Sequence, residues 1–61
     1  MTGREYILER IIQGRFVKVV AVDPDTGLEV SVVGDAFAPP EPLDRLAVRK
    51  LEQQLAKQKI E

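Results

Sequence analysis

The residues with the most chemical potential are the run Asp23-Pro24-Asp25-Thr26-Gly27, whose side-chain oxygens alternate as at the start of a calcium-binding loop. Such a loop needs Gly at its sixth position and Glu at its twelfth, and counting from Asp23 those places hold Leu28 and Gly34. The metal reading fails, and turn chemistry accounts for all five residues: Pro24 presets φ, the aspartates bond nearby amides, and Gly27 accepts a positive φ. Asp23 and Asp25 are then expected at a tip open to water, where nothing organises proton transfer. The chain contains no Cys and no His, which removes the usual thiolate and imidazole nucleophiles, bases and metal ligands. Ser31 lies mid-run without a base, and no Gly-rich phosphate loop occurs. The expectation is a protein that is not an enzyme and uses neither metal nor cofactor.

The cationic residues offer a second chemistry. Arg45, Arg49 and Lys50 form a basic ridge if their segment is helical, with Arg15 and Lys18 nearby, and residues 44–61 carry five basic against three acidic side chains. Phosphate contact with nucleic acid is therefore an alternative reading. Against it, Glu41 precedes Arg45 by four residues and Glu52 follows Arg49 by three, spacings that neutralise charge locally. Tyr6, Phe16 and Phe37 are the only aromatics available to stack on bases. The whole chain has nine Lys+Arg and ten Asp+Glu, a net charge of −1, which suits neither a nucleic-acid coat nor a membrane-surface peptide. A solvated helix face explains the ridge.

These residues must be positioned by a small number of elements. On either side of the Asp23–Gly27 turn, apolar and polar residues alternate, and seven Val lie between residues 17 and 33. Pairing Asp23 with Leu28 sets Ala21 against Val30 and Val19 against Val32, with Val17 on the same apolar face. The other face is mixed, carrying Phe16, Lys18, Val20 and Val22 against Glu29, Ser31 and Val33. The preceding segment supports two readings. Thr2-Gly3-Arg4-Glu5 fits a capping box, and Ile7, Leu8, Ile11 and Ile12 fit a helical stripe. As a strand ending in a two-residue turn at Gly14-Arg15 or Gln13-Gly14, it would instead complete a three-stranded meander, with Tyr6, Leu8, Arg10 and Ile12 on the apolar face. Arg10 is out of place there, and either clamps an anion or carries its head to the sheet edge or to an acidic partner.

Three prolines mark residues 35–42 as a connector. A helix over about 42–58 follows, with Pro42 at its first position and Asp44 in its first turn; Lys57 and Lys59 suit its end. Leu43, Leu46, Ala47, Leu51 and Leu55 fall on one side, able to cover the sheet. The fold predicted is α+β: strands at about 5–13, 15–23 and 28–34, then one helix on one sheet face, as a single domain.

The run Arg-Phe-Val-Lys-Val-Val-Ala-Val-Asp-Pro-Asp-Thr-Gly-Leu-Glu-Val-Ser-Val-Val-Gly, followed beyond the connector by Leu-Ala-Val-Arg-Lys-Leu-Glu, resembles a family of short uncharacterised bacterial proteins. The resemblance spans residues 3–55 and implies that Tyr6 to Gln13 is the first strand. It brings no catalytic or binding residues.

At 61 residues, 44% of them apolar, the chain is globular but short of core. Domains of this size close the deficit with disulfides, a metal or association, and here only association remains. Ile7, Ile11, Phe16, Val20, Val22 and Val33 would form an apolar patch on the face without a helix. We expect a homo-oligomer built on those six residues, or an unidentified protein partner there. The longest apolar run, Val19 to Val22, is too short to span a membrane, so the expected location is the cytoplasm.

Overall fold

A computed structural model describes residues 5–58. The capping-box residues Thr2, Gly3 and Arg4, and Lys59 near the chain end, lie outside the described residues. Strand β1 runs Ile7–Gln13, β2 Phe16–Val22, β3 Glu29–Asp35, and helix α1 Pro40–Gln58. The strands form one antiparallel sheet in the order β1-β2-β3, and α1 packs on β2 and β3. This is the βββα arrangement that the alternation predicts, and the segment from Ile7 is strand, not helix.

Turn chemistry fixes the register. Gln13 pairs with Phe16, so the β1–β2 turn is Gly14-Arg15. Gly14 takes φ +59 while Arg15 does not turn positive, the sign pattern of a type II′ hairpin turn. Across β2 and β3, Val19 opposes Val32 and Ala21 opposes Val30, as alternation requires. The inner face of β2 supplies Val17, Val19 and Ala21, and α1 answers with Ala47, Leu51 and Leu55, all buried. Residues spaced four apart recur on one side of a helix, which is why these three meet the sheet together.

The β2–β3 connection corrects one expectation. Asp25 is exposed, but Asp23 is fully buried, not open to water. Its Oδ1 accepts from the Asp25 amide at 3.3 Å and its Oδ2 from the Thr26 hydroxyl at 3.0 Å, while Thr26 Oγ1 accepts from the Leu28 amide at 3.1 Å. Its backbone also closes the loop, with Asp23 N donating to Leu28 O at 2.9 Å and Gly27 N to Asp23 O at 2.8 Å. Burial of a carboxylate is tolerated only when donors surround it, and the turn wraps its own donors inward. Asp23→Ala strands those donors, so we expect a loss of about 1–3 kcal/mol, read as a lower midpoint in thermal unfolding. Asp25→Ala, at the exposed neighbour, should change the midpoint by a degree or two at most.

The helix begins at Pro40, two residues before the expected Pro42, which shortens the connector to residues 36–39. The first turn of a helix has amides without intrahelical partners, so Pro40 and Pro42 both fit there without breaking a bond. The helix also comes close to β3: a Cβ at Gly34 would stand 2.9 Å from Leu43 Cδ2. Absence of a side chain at Gly34 lets Leu43 settle on the sheet. Leu46, assigned by its spacing to the covered side, is 49% exposed, because α1 is rotated to centre Ala47, Leu51 and Leu55 on the sheet. Among the described residues, no helix is long and apolar enough to cross a membrane.

Candidate functional site

The outer sheet face, away from α1, carries the feature that most needs explanation. Alternation along each strand places Ile7 and Ile11 of β1, Phe16, Val20 and Val22 of β2, and Val33 of β3 on that side. Ile7 is 53% exposed, Ile11 46%, Phe16 61% and Val33 65%. Val20, expected among the exposed residues, is instead buried at 8%, and Val22 is partly buried. Val20 sits mid-way along the central strand between Glu9 and Ser31, so cross-strand neighbours shield it without any second chain. It forms the floor of the patch and the other residues form its raised parts.

Phe37 joins them, and sequence reasoning missed it. The Asp35 carboxylate accepts from the Phe37 amide at 2.9 Å, and Ala38 N donates to Asp35 O at 3.1 Å, so the chain turns sharply as it leaves β3. Ala36 N donates to Arg15 O at 2.8 Å and anchors this turn beside the Gly14-Arg15 hairpin. Phe37 is left 80% exposed, bordering with Phe16, Val33 and Arg15 a shallow cleft of about 420 Å³. An aromatic inside the connector Gly-Asp-Ala-Phe-Ala-Pro-Pro was the signal available for it.

The inner face is incompletely covered as well. Every residue of β1 is exposed, including Leu8 at 40% and Ile12 at 63%, which point to the helix side. The expected cover of a whole face is reduced to β2 and β3, because one helix about 10 Å across cannot span three strands about 4.8 Å apart. Arg10 bridges part of the gap: its Nη1 lies 2.7 Å from Asp44 Oδ1, with both side chains 32% exposed. The acidic partner foreseen for Arg10 thus lies within the chain, on α1. Solvent reaches this pair, so a double-mutant cycle on Arg10→Ala and Asp44→Ala should give a coupling of only about 0.2–1 kcal/mol, shrinking in high salt.

The basic residues do not gather into one ridge. Lys50 Nζ donates to the Ser31 carbonyl at 3.0 Å on the β3 side. Arg45 and Arg49 lie toward the other strand edge, around a cleft shared with Leu8, Asp44, Val48 and Glu52. Lys18 is on the opposite face of the sheet, and Arg15 is in the β1–β2 turn. Two acids interleave with the two arginines, and the third cation is engaged by backbone elsewhere.

A family model described as a domain of unknown function, DUF6898, matches residues 3–58, nearly the whole chain. The chain belongs to the DUF6898 family. No curated protein and no solved structure matches it. The DUF6898 match takes in all three strands and the whole of α1, so both the uncovered outer face and the half-covered β1 belong to the family domain.

Proposed function

We propose that this chain is a non-catalytic interaction module that associates with a second copy of itself through the outer sheet face, serving as a small scaffold or accessory subunit. The observation that supports this reading is the group of large apolar side chains Ile7, Ile11, Phe16, Val33 and Phe37, each 46–80% exposed, on or beside the sheet face away from α1, with Glu9 and Lys18 interleaved among them. A sheet needs a layer on each apolar face, and α1, the one helix among the described residues, is spent on the inner side. Patches of this kind mark interfaces, and Phe is among the residues enriched in their cores. Association also strengthens a chain that has no Cys and no His, since binding to the folded state alone raises apparent stability by mass action.

Sedimentation equilibrium at micromolar concentration tests the reading. The expected mass is a multiple of the 6.8 kDa chain, and the thermal midpoint should rise with protein concentration. A stably folded monomer throughout the concentration range would overturn it.

A further inference from the structure

The two edges of the sheet are finished differently. Asp23 N donates to Leu28 O, so on β3 the alternate residues Val30 and Val32 bond β2, while Glu29, Ser31, Val33 and Asp35 turn their peptide groups to the free edge. Two of those four carbonyls are already taken: Lys50 Nζ donates to Ser31 O at 3.0 Å, and Ala38 N to Asp35 O at 3.1 Å. A lysine laid on an edge guards it against further strand pairing. At the other edge, the two-residue turn makes Gln13–Phe16 a bonded pair. Ile7, Glu9, Ile11 and Gln13 therefore bond β2, and Leu8, Arg10 and Ile12 turn their peptide groups away from the sheet. No hydrogen bond to those outward groups of β1 occurs among the described residues.

Four of the seven residues of β1 are Ile or Leu, none is Lys or Pro, and all are exposed. An edge of this composition is a template for another strand. Its outward residues are spaced evenly about Arg10, so β1 is complementary to itself. Antiparallel pairing centred there sets Leu8 against the partner's Ile12 and Arg10 against the partner's Arg10, and uses every outward peptide group of both strands. Sliding by one repeat either lays Glu9 on the partner's Glu9 or sets Leu8 against Gly14 of the partner's turn, and one outward residue then runs past the end of the facing strand. In the centred register the outer face sets Glu9 against the partner's Ile11 and Ile7 against the partner's Gln13. The two Glu9 stand on a diagonal, about 7–8 Å apart and open to water. On the helix side, each Arg10 is held by its own Asp44 at 2.7 Å, so the groups that meet are two neutral ion pairs. Arg45, Arg49 and Glu52 flank Leu8, whose facing residue is the uncharged Ile12. Beyond the strand, Glu5 of each copy runs toward the partner's Gly14-Arg15 turn, carboxylate toward guanidinium.

Going beyond the face contact proposed above, we infer that β1 pairs antiparallel with β1 of a second copy, in the register centred on Arg10, to make one continuous sheet from two chains. Lys50 closes the β3 edge, so pairing of like edges stops at two chains and does not run on as a fibril. The contact is small and therefore weak on its own, with a dissociation constant on the order of a millimolar.

Nuclear magnetic resonance on the double variant Phe16→Thr/Val33→Thr, whose outer face has lost its two anchors, tests the edge separately from the face. As the concentration rises from micromolar to millimolar, the amide resonances of Leu8, Arg10 and Ile12 should move several-fold further than those of Glu9, Ile11 and the β3-edge residue Val33. In a mixture of labelled and unlabelled chains, an interchain contact between the Hα atoms of Glu9 and Ile11 reports the register. Those residues face each other at a non-hydrogen-bonded position, with Cα atoms about 4.5 Å apart, against roughly 6.6 Å along one strand. Ile12→Pro in the same background removes an outward donor and no ladder bond, so it should abolish the concentration-dependent shifts and keep a dispersed spectrum. If that variant loses its dispersed spectrum, the Hα contact decides alone. Amides that do not move with concentration, shifts that persist in Ile12→Pro, or interchain contacts from Glu9 to Glu9 or Ile11 to Ile11 would overturn the inferred pairing and leave the outer-face reading standing. An unsubstituted chain that is monomeric at micromolar concentration would overturn the outer-face reading and leave the edge pairing standing.

Discussion

Leu51→Ala should leave the chain largely unfolded at physiological temperature. Leu51 is fully buried, and it lies in the buried row that α1 presents to the sheet, between Ala47 and Leu55 and in one core cluster with Val17, Val19 and Ala21. Truncation of a buried Leu removes apolar transfer energy and leaves a cavity, together about 2–5 kcal/mol. A single-core chain below about 70–80 residues rarely has more than about 3–5 kcal/mol in total. The loss is therefore comparable to the whole stability, and a midpoint decrease of at least about 10 °C is expected, given about 4–8 °C per kcal/mol for a domain of this size. Leu46→Ala is the control on the same helix. Its side chain is 49% exposed, so the same chemical change should lower the midpoint by only a few degrees. Equal melting curves for the two variants would show that α1 is rotated differently on the sheet.

How far the fold could be read from the chain depends on whether a feature is set by neighbours in sequence or by distant packing. The strand register was legible because alternation at Val17, Val19 and Ala21 permits one pairing with Val30 and Val32, and because Gly14 and Gly27 sit where a positive φ is required. The start of α1 was not, since Pro39-Pro40 reads as a breaker until one counts the amides that a first helical turn leaves unpaired. Burial of Asp23 depended on donors folding back from Asp25 and Thr26, an arrangement that composition cannot reveal. Which strands α1 covers depends on its lateral position. Only that position decides that Val17 and Val19 are sealed while Leu8 and Ile12, on the same face one strand away, stay wet. The outer patch was legible as a set of residues, but not its relief: Val20 is the floor, and Phe37 enters through a turn built on the Asp35 side chain.

That relief leads to the second large effect. Phe16→Thr combined with Val33→Thr should convert the assembly to monomers while leaving the single-chain fold nearly unaffected. Both side chains are more than half exposed in the single chain, at 61% and 65%, so little core contact is lost. Threonine keeps high β-propensity at both positions, which limits the penalty to the strands themselves. In the associated state the same residues are desolvated anchors, and an anchor of this type contributes about 2 kcal/mol when truncated. Two adjacent ones need not add, but even about 3 kcal/mol corresponds to a dissociation constant roughly a hundredfold higher. The double variant should sediment as a monomer at concentrations where the parent chain is associated, and its thermal midpoint should no longer depend on concentration. The far-ultraviolet circular dichroism spectrum should be unchanged at low temperature. If the variant and the parent sediment alike, the outer face is not where copies of this chain meet. The half-covered inner side of β1, with Leu8 and Ile12 open to water, would then be the remaining apolar surface for them to share.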